Sequence, residues 1–217
     1  MELNKYIEHT LLKQDAQKED FEKLYEEAIE NKFFGVCVNP AYVKEASEKV
    51  KPYGVKVVTV IGFPLGANTT EVKVYETQKA VSDGADEIDM VINVSKLKDK
   101  DYDYIIKDIK SVKEVCPNNN LKVILETDLL TKDEIGTACE LCIKAGANLV
   151  KTSTGFVKNG VGAKVEDVKL MSETVKPYGL MVKASGGIRN RESALAMIEA
   201  GANRLGTSSG VAIVKGF

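Results

Sequence analysis

Residues 145–155 read Ala-Gly-Ala-Asn-Leu-Val-Lys-Thr-Ser-Thr-Gly. Gly146 can take the left-handed conformation that closes a helix. Leu149-Val150 then forms a short apolar strand, and Lys151 at its end opens a turn of hydroxyl residues and glycine. The same joint recurs at Asp83-Gly84-Ala85-Asp86 and Ala200-Gly201-Ala202-Asn203, with Tyr178-Gly179 as a variant, and a strand follows each. Five residues beyond Gly84, Gly146 and Gly201 stand Asp89, Lys151 and Gly206. Equal offsets predict equal heights on their strands.

Outward from these joints the chain alternates β-rich runs with amphipathic stretches, the pattern of βα units around a parallel sheet. Eight strand runs are predicted: 6–10, 35–39, 55–62, 87–93, 122–127, 149–153, 180–185 and 204–208. Helices fall between them, including 18–31, 71–83, 102–115, 132–145, 165–175 and 191–200. Eight units in 217 residues, with no linker-like tract, predict one α/β domain over 1–217, a TIM (β/α)8 barrel. Neither a GxGxxG nor a GxxxxGK[ST] motif follows the first strand, which argues against a dinucleotide or P-loop fold.

Thirty basic and thirty-two acidic residues leave a net charge of -2, so neither a nucleic-acid footprint nor a membrane-binding basic face is expected. The N-terminus lacks a signal-peptide pattern and no apolar run approaches bilayer length, so the expected location is the cytoplasm. Cys139 and Cys142 form a CxxC, but their spacing within a helix favours packing over redox or zinc chemistry. His9 is the sole histidine, too few for a zinc site of the usual composition. No metal and no cofactor are expected.

Lysine is among the residues least often buried, because desolvating an ammonium is costly. Yet Lys151 and Lys183 each end an apolar strand, and Asp89 shares the C-terminal address where barrel active sites lie. Two adjacent ammoniums raise the cost of charging each other, so one amine would become a neutral nucleophile for carbonyl chemistry. A buried ion-pair network is the alternative. Which lysine attacks is left open, although the hydroxyl turn after Lys151 favours it. Ser185-Gly186-Gly187 and Gly206-Thr207-Ser208-Ser209-Gly210, the second opening the last helix, form a candidate phosphate cradle after strands seven and eight. Glu126 is a candidate base for an isomerase reading, but it has no histidine partner.

Several stretches together resemble the deoxyribose-phosphate aldolase family: EHTLLK (8–13), GVCVNPAYV (35–43), EIDMVIN (87–93), VKTSTGF (150–156), VKASGGIR (182–189) and GTSSG (206–210). The resemblance runs nearly end to end. It implies a metal-independent class I aldolase on a TIM barrel that reversibly cleaves 2-deoxy-D-ribose 5-phosphate to acetaldehyde and D-glyceraldehyde 3-phosphate in deoxyribonucleotide catabolism. By the same resemblance Lys151 forms the Schiff base, and Asp89 and Lys183 move protons. Gly186, Gly187, Gly206, Ser208 and Ser209 hold the phosphate. A homo-oligomer, dimer or tetramer, is expected. Some members carry a basic residue where this chain has Phe156, with Lys158 two positions on, and some carry a C-terminal tail with a tyrosine, whereas Phe217 is last here. Cys37 matches a cysteine near the family's pocket and reads here as a packed strand residue.

Overall fold

The computed structural model describes residues 1–216; Phe217 lies outside the described residues. Eight parallel strands close in sequence order into a barrel: β1 (Ile7–Leu11), β2 (Gly35–Val38), β3 (Lys56–Ile61), β4 (Glu87–Val91), β5 (Asn120–Ile124), β6 (Leu149–Lys151), β7 (Met181–Ser185) and β8 (Arg204–Thr207). The predicted TIM barrel is thus the observed fold. Around it lie α1 (Lys18–Glu30), α2 (Val43–Val50), α3 (Thr70–Ser82), α4 (Val94–Lys98), α5 (Tyr102–Glu114), α6 (Lys132–Ala145), α7 (Val165–Val175), α8 (Arg191–Glu199) and α9 (Gly210–Lys215). None of the described helices is long and apolar enough to cross a membrane.

The glycine joint works as its sequence suggests. Gly146 sits at φ 80° after α6, its amide donates to Ile143 O (3.1 Å), and Ala147 N donates to Cys142 O (3.1 Å), the paired bonds of a Schellman ending. The chain then enters β6 with its phase set. Side chains alternate across each strand. Val36, Val57, Ile88, Leu121, Val150, Val182 and Leu205 join the large apolar core shared with the helices. The inner face carries a small separate cluster of Cys37, Val58 and Val60, capped by Leu12 and flanked by Phe63. The inner face also carries the buried charged residues Glu8, Glu87, Asp89, Lys122, Lys151 and Lys183.

Several strands end earlier than the apolar runs suggest. The run expected over 122–127 leaves the sheet after Ile124, although Leu125 N still bonds Lys151 O (2.9 Å) and Thr127 N bonds Thr152 O (2.9 Å). Between them Glu126 takes a left-handed backbone, φ 61°, which breaks the ladder and turns the chain into a 3-10 turn over Thr127–Leu129. The first strand starts one residue late because Leu3–Tyr6 is a 3-10 turn. Below the β3–α3 loop, buried Lys73 donates to Asp108 Oδ2 (2.6 Å) and to Val91 O (3.0 Å), bracing the end of β4.

Candidate active site

Lys151 and Lys183 are register partners on neighbouring strands, so their side chains leave the barrel wall side by side. Both ammoniums reach one oxygen: Asp89 Oδ2 accepts from Lys151 Nζ (2.8 Å) and from Lys183 Nζ (2.7 Å). The other oxygen, Oδ1, accepts from Lys122 Nζ at 2.9 Å. Lys183 also pairs with Glu8, and Lys122 pairs with Glu87 (2.6 Å) and Glu8 (3.6 Å). Three lysines therefore face three carboxylates, all buried. No glycine offset or turn marks Glu8, Glu87 and Lys122 in the sequence, and they join the site only through ring closure.

The intervening carboxylates change the electrostatics expected from two bare amines. Burial by itself would lower the Lys183 pKa, but Asp89 and Glu8 outweigh it and hold the ammonium above the usual lysine range. Lys122 is raised in the same way, against its burial, chiefly by Asp89 and Glu8. Burial pushes the Asp89 carboxyl up, yet Lys122, Lys151 and Lys183 together hold it well below the usual carboxylate range. Lys183 is thus a standing positive charge beside Lys151.

Above the cluster opens a cavity of about 370 Å³. Lys151 reaches it; Asp89 and Lys183 lie beneath, outside its lining. Gly186, Gly187, Gly206, Ser208 and Ser209 all line it, so the five residues expected to hold phosphate share one chamber with the lysine. The two loops are tied together, since Thr207 Oγ1 donates to Ile188 O (2.7 Å) and accepts from Ser209 N (2.9 Å). Gly206 also makes room for Lys183, because a Cβ there would stand 3.0 Å from Lys183 Cε. The last helix, α9, spans only six residues, and Ser209 at its N-cap makes no side-chain cap bond.

The cavity lining contains Lys13, Lys151 and Arg189 and no carboxylate. Lys13, on the β1–α1 loop, and Arg189, after the glycine pair, supply positive charge that Phe156 does not. The sequence pattern does not distinguish either one, because where a long side chain on a loop points depends on the path of that loop. Phe156 instead packs edge-on against Phe63, with ring centroids 5.1 Å apart, forming an apolar rim.

The remaining candidates fall outside the cavity or serve its walls. Glu126 accepts from Thr154 N (3.0 Å) and from the Thr154 hydroxyl, and burial raises its carboxyl pKa despite those bonds. His9 pairs through Nε2 with Glu27 (2.8 Å) and leans on Phe33, a packed position. Cys37 is buried inside the barrel, and burial pushes its thiol up. Cys139 and Cys142 are buried on α6, and burial pushes the Cys139 thiol up to about 12. Thiolate is the reactive form. Ellman's reagent is accordingly expected to leave all four free thiols intact in the native protein and to titrate four on unfolding; fast native reaction of a Cys139–Cys142 pair would contradict this. Among the described residues, no three His, Cys, Asp or Glu side chains are grouped to hold a metal ion.

Neighbouring lysines sharing an aspartate beneath the mouth of a barrel, with glycine and serine loops around the opening, are the arrangement expected of an aldolase-type site. Residues 5–216 match the DeoC/LacD family of aldolases. The chain is 56% identical over 216 residues to the deoxyribose-phosphate aldolase of Finegoldia magna, covering 100% of both. Among solved structures it resembles "QR15, an Aldolase" (TM-score 0.93, 46% identity, covering 98% of this chain and 94% of the other). It also resembles the deoxyribose phosphate aldolase of Aeropyrum pernix, whose structure is described as tetrameric (TM-score 0.90, 35% identity, covering 98% and 89%). The chain belongs to the DeoC/LacD aldolase family.

Proposed function

We propose that the chain is a Schiff-base aldolase that reversibly cleaves 2-deoxy-D-ribose 5-phosphate to acetaldehyde and D-glyceraldehyde 3-phosphate. The observation that carries this reading is Lys151, the one member of the three-lysine cluster that reaches the cavity. Lys151 contacts a single carboxylate, whereas Lys183 is shared by two. Of the pair, Lys151 is therefore the amine placed to meet a substrate carbonyl, with Lys183 a cation at its side.

In the cleavage direction, the neutral Lys151 amine adds to C1 of the open-chain sugar. Asp89 takes the proton released from nitrogen and passes it to the former carbonyl oxygen, giving the carbinolamine, and Lys183 gives a second proton to that hydroxyl, so that water leaves and an iminium remains. Lys183, left neutral, takes the proton of the C3 hydroxyl as the C2–C3 bond breaks, the electron pair of that bond passing into the iminium as an enamine. D-Glyceraldehyde 3-phosphate departs, Lys183 returns its proton to C2 of the enamine, and water hydrolyses the resulting iminium to acetaldehyde and the free Lys151 amine, the proton released restoring the Lys183 ammonium. The cation-lined chamber around Gly186, Gly187, Ser208 and Ser209 holds the phosphate away from the reacting carbons.

Borohydride reduction in the presence of acetaldehyde tests the reading directly. One ethyl group is expected on the peptide containing Lys151, and folded protein that gains none would overturn it. Replacing Lys13 or Arg189 by alanine is expected to raise KM for the phosphorylated sugar by about tenfold each, the effect of one charged phosphate contact, with little change in kcat. Steady-state kinetics at low and high salt would check this, since high salt should narrow the difference. We also take the enzyme to be a cytoplasmic homo-oligomer, dimer or tetramer. The tetrameric Aeropyrum pernix relative and the exposed Leu65, Val72 and Tyr75 near the start of α3 support the assembly.

A further inference from the structure

The β6–α7 loop, residues 152–164, forms one wall of the cavity, and the 3-10 turn over Thr127–Leu129 grips it at both ends. Glu126 holds the near end through Thr154, close to Lys151. Asp128 holds the far end: Oδ2 accepts from Gly162 N (2.7 Å) and Oδ1 pairs with Lys164 Nζ (3.2 Å), with the aspartate side chain only 9% exposed.

What Asp128 holds is pressed against the glycine pair after β7. Gly162 sits at φ +80°, and a Cβ on it would lie 2.5–2.7 Å from the Gly186 backbone. Ala163 N donates to Gly186 O at 3.1 Å, and a Cβ on Gly187 would lie 2.5 Å from Val161 O. Gly186 and Gly187 are themselves left-handed, at φ +85° and +75°. Two backbones in direct contact can approach this closely only because side chains are missing at the crossing. The phosphate loop therefore rests on Gly162, and Gly162 on Asp128.

We propose that Asp128 is a positioning residue that sets the preference for phosphorylated over unphosphorylated sugars, acting through Gly162 on Gly186 and Gly187. This rests on the reading of that glycine pair as the phosphate cradle of an aldolase. Asp128 is outside the lining of the lysine cavity, so its loss leaves the amine chemistry in place.

The test compares Asp128→Asn, Asp128→Ala and Gly162→Ala with the parent on 2-deoxyribose 5-phosphate and on 2-deoxyribose, alongside borohydride trapping with acetaldehyde alone. For Asp128→Ala, KM for the phosphorylated sugar should rise by about tenfold, the size of one lost charge-assisted hydrogen bond, while kcat/KM for 2-deoxyribose and the trapping rate stay within about twofold. Asp128→Asn keeps the shape and one acceptor oxygen and should fall between. Gly162→Ala, which attacks the crossing from its other side, should reproduce the loss of preference in a protein whose Asp128 is intact. Equal losses on both sugars, or none on either, would overturn the proposal while the parent still traps acetaldehyde. A parent that traps none would overturn the aldolase reading and this proposal with it.

Discussion

Lys151→Ala is expected to lower aldolase turnover by at least about 10⁴-fold, on the scale seen when a covalent nucleophile is removed, and to abolish the borohydride-trapped ethyl adduct. The protein itself should stay folded. Asp89 keeps Lys122 and Lys183 as partners, so no carboxylate is stranded by the change. Lys183→Ala makes the useful contrast, since it removes the neighbouring cation while leaving the attacking amine in the cavity. It should slow trapping without erasing it, and the residual adduct should still map to Lys151. If the adduct in Lys151→Ala protein moved to Lys183 at the parent's rate, the assignment of roles would be reversed.

Asp89→Asn is the second large effect, and it should strike stability and chemistry together. The carboxylate is the shared acceptor of three buried ammoniums, and removing it leaves their charges short of one counter-charge. Breaking a buried charge network in this way costs about 3–5 kcal/mol, which urea unfolding would read as a lower midpoint at unchanged slope. Loss of its proton-transfer role should lower kcat by a further factor of about 10²–10⁴ in the folded fraction. The pH dependence has a definite sign. Because the folded-state pKa of Asp89 is depressed, its stabilisation is present above the unfolded value of about 3.9 and is lost as pH falls through the folded value. The stability gap between parent and Asp89→Asn should therefore be widest near neutrality and shrink below about pH 4. A gap that grew in acid would show that the aspartate is not held ionised by its lysines.

Much of the fold can be read from local sequence because each βα joint is local: Gly146 closes α6 and sets the phase of β6 within a few residues. Asp89, Lys151 and Lys183, the residues proposed to react, are legible for the same reason, since each follows its glycine by four or five positions. The rest of the charge cluster is not. Glu8 and Lys122 alternate with apolar neighbours as any half-exposed strand residue would, and only ring closure turns that face from water to interior. Lys73 falls in the predicted helix over 71–83 with nothing local to mark its burial, yet it is fully buried because Asp108, thirty-five positions away, meets it. Apolar runs overstate the strand ends wherever backbone pairing outlasts the ladder, as at Leu125 and Thr127, where the left-handed Glu126 interrupts it.

The matched inventory of buried cations and anions bears on the covalent step itself. A protonated Lys151 and an iminium at the same nitrogen carry the same formal charge. The interior thus meets the intermediate with dipoles and counterions already oriented for it, and little reorganisation energy is spent when the adduct dehydrates. The mismatch falls on the neutral carbinolamine, so the wall of the cylinder favours onward passage to the iminium of the proposed chemistry.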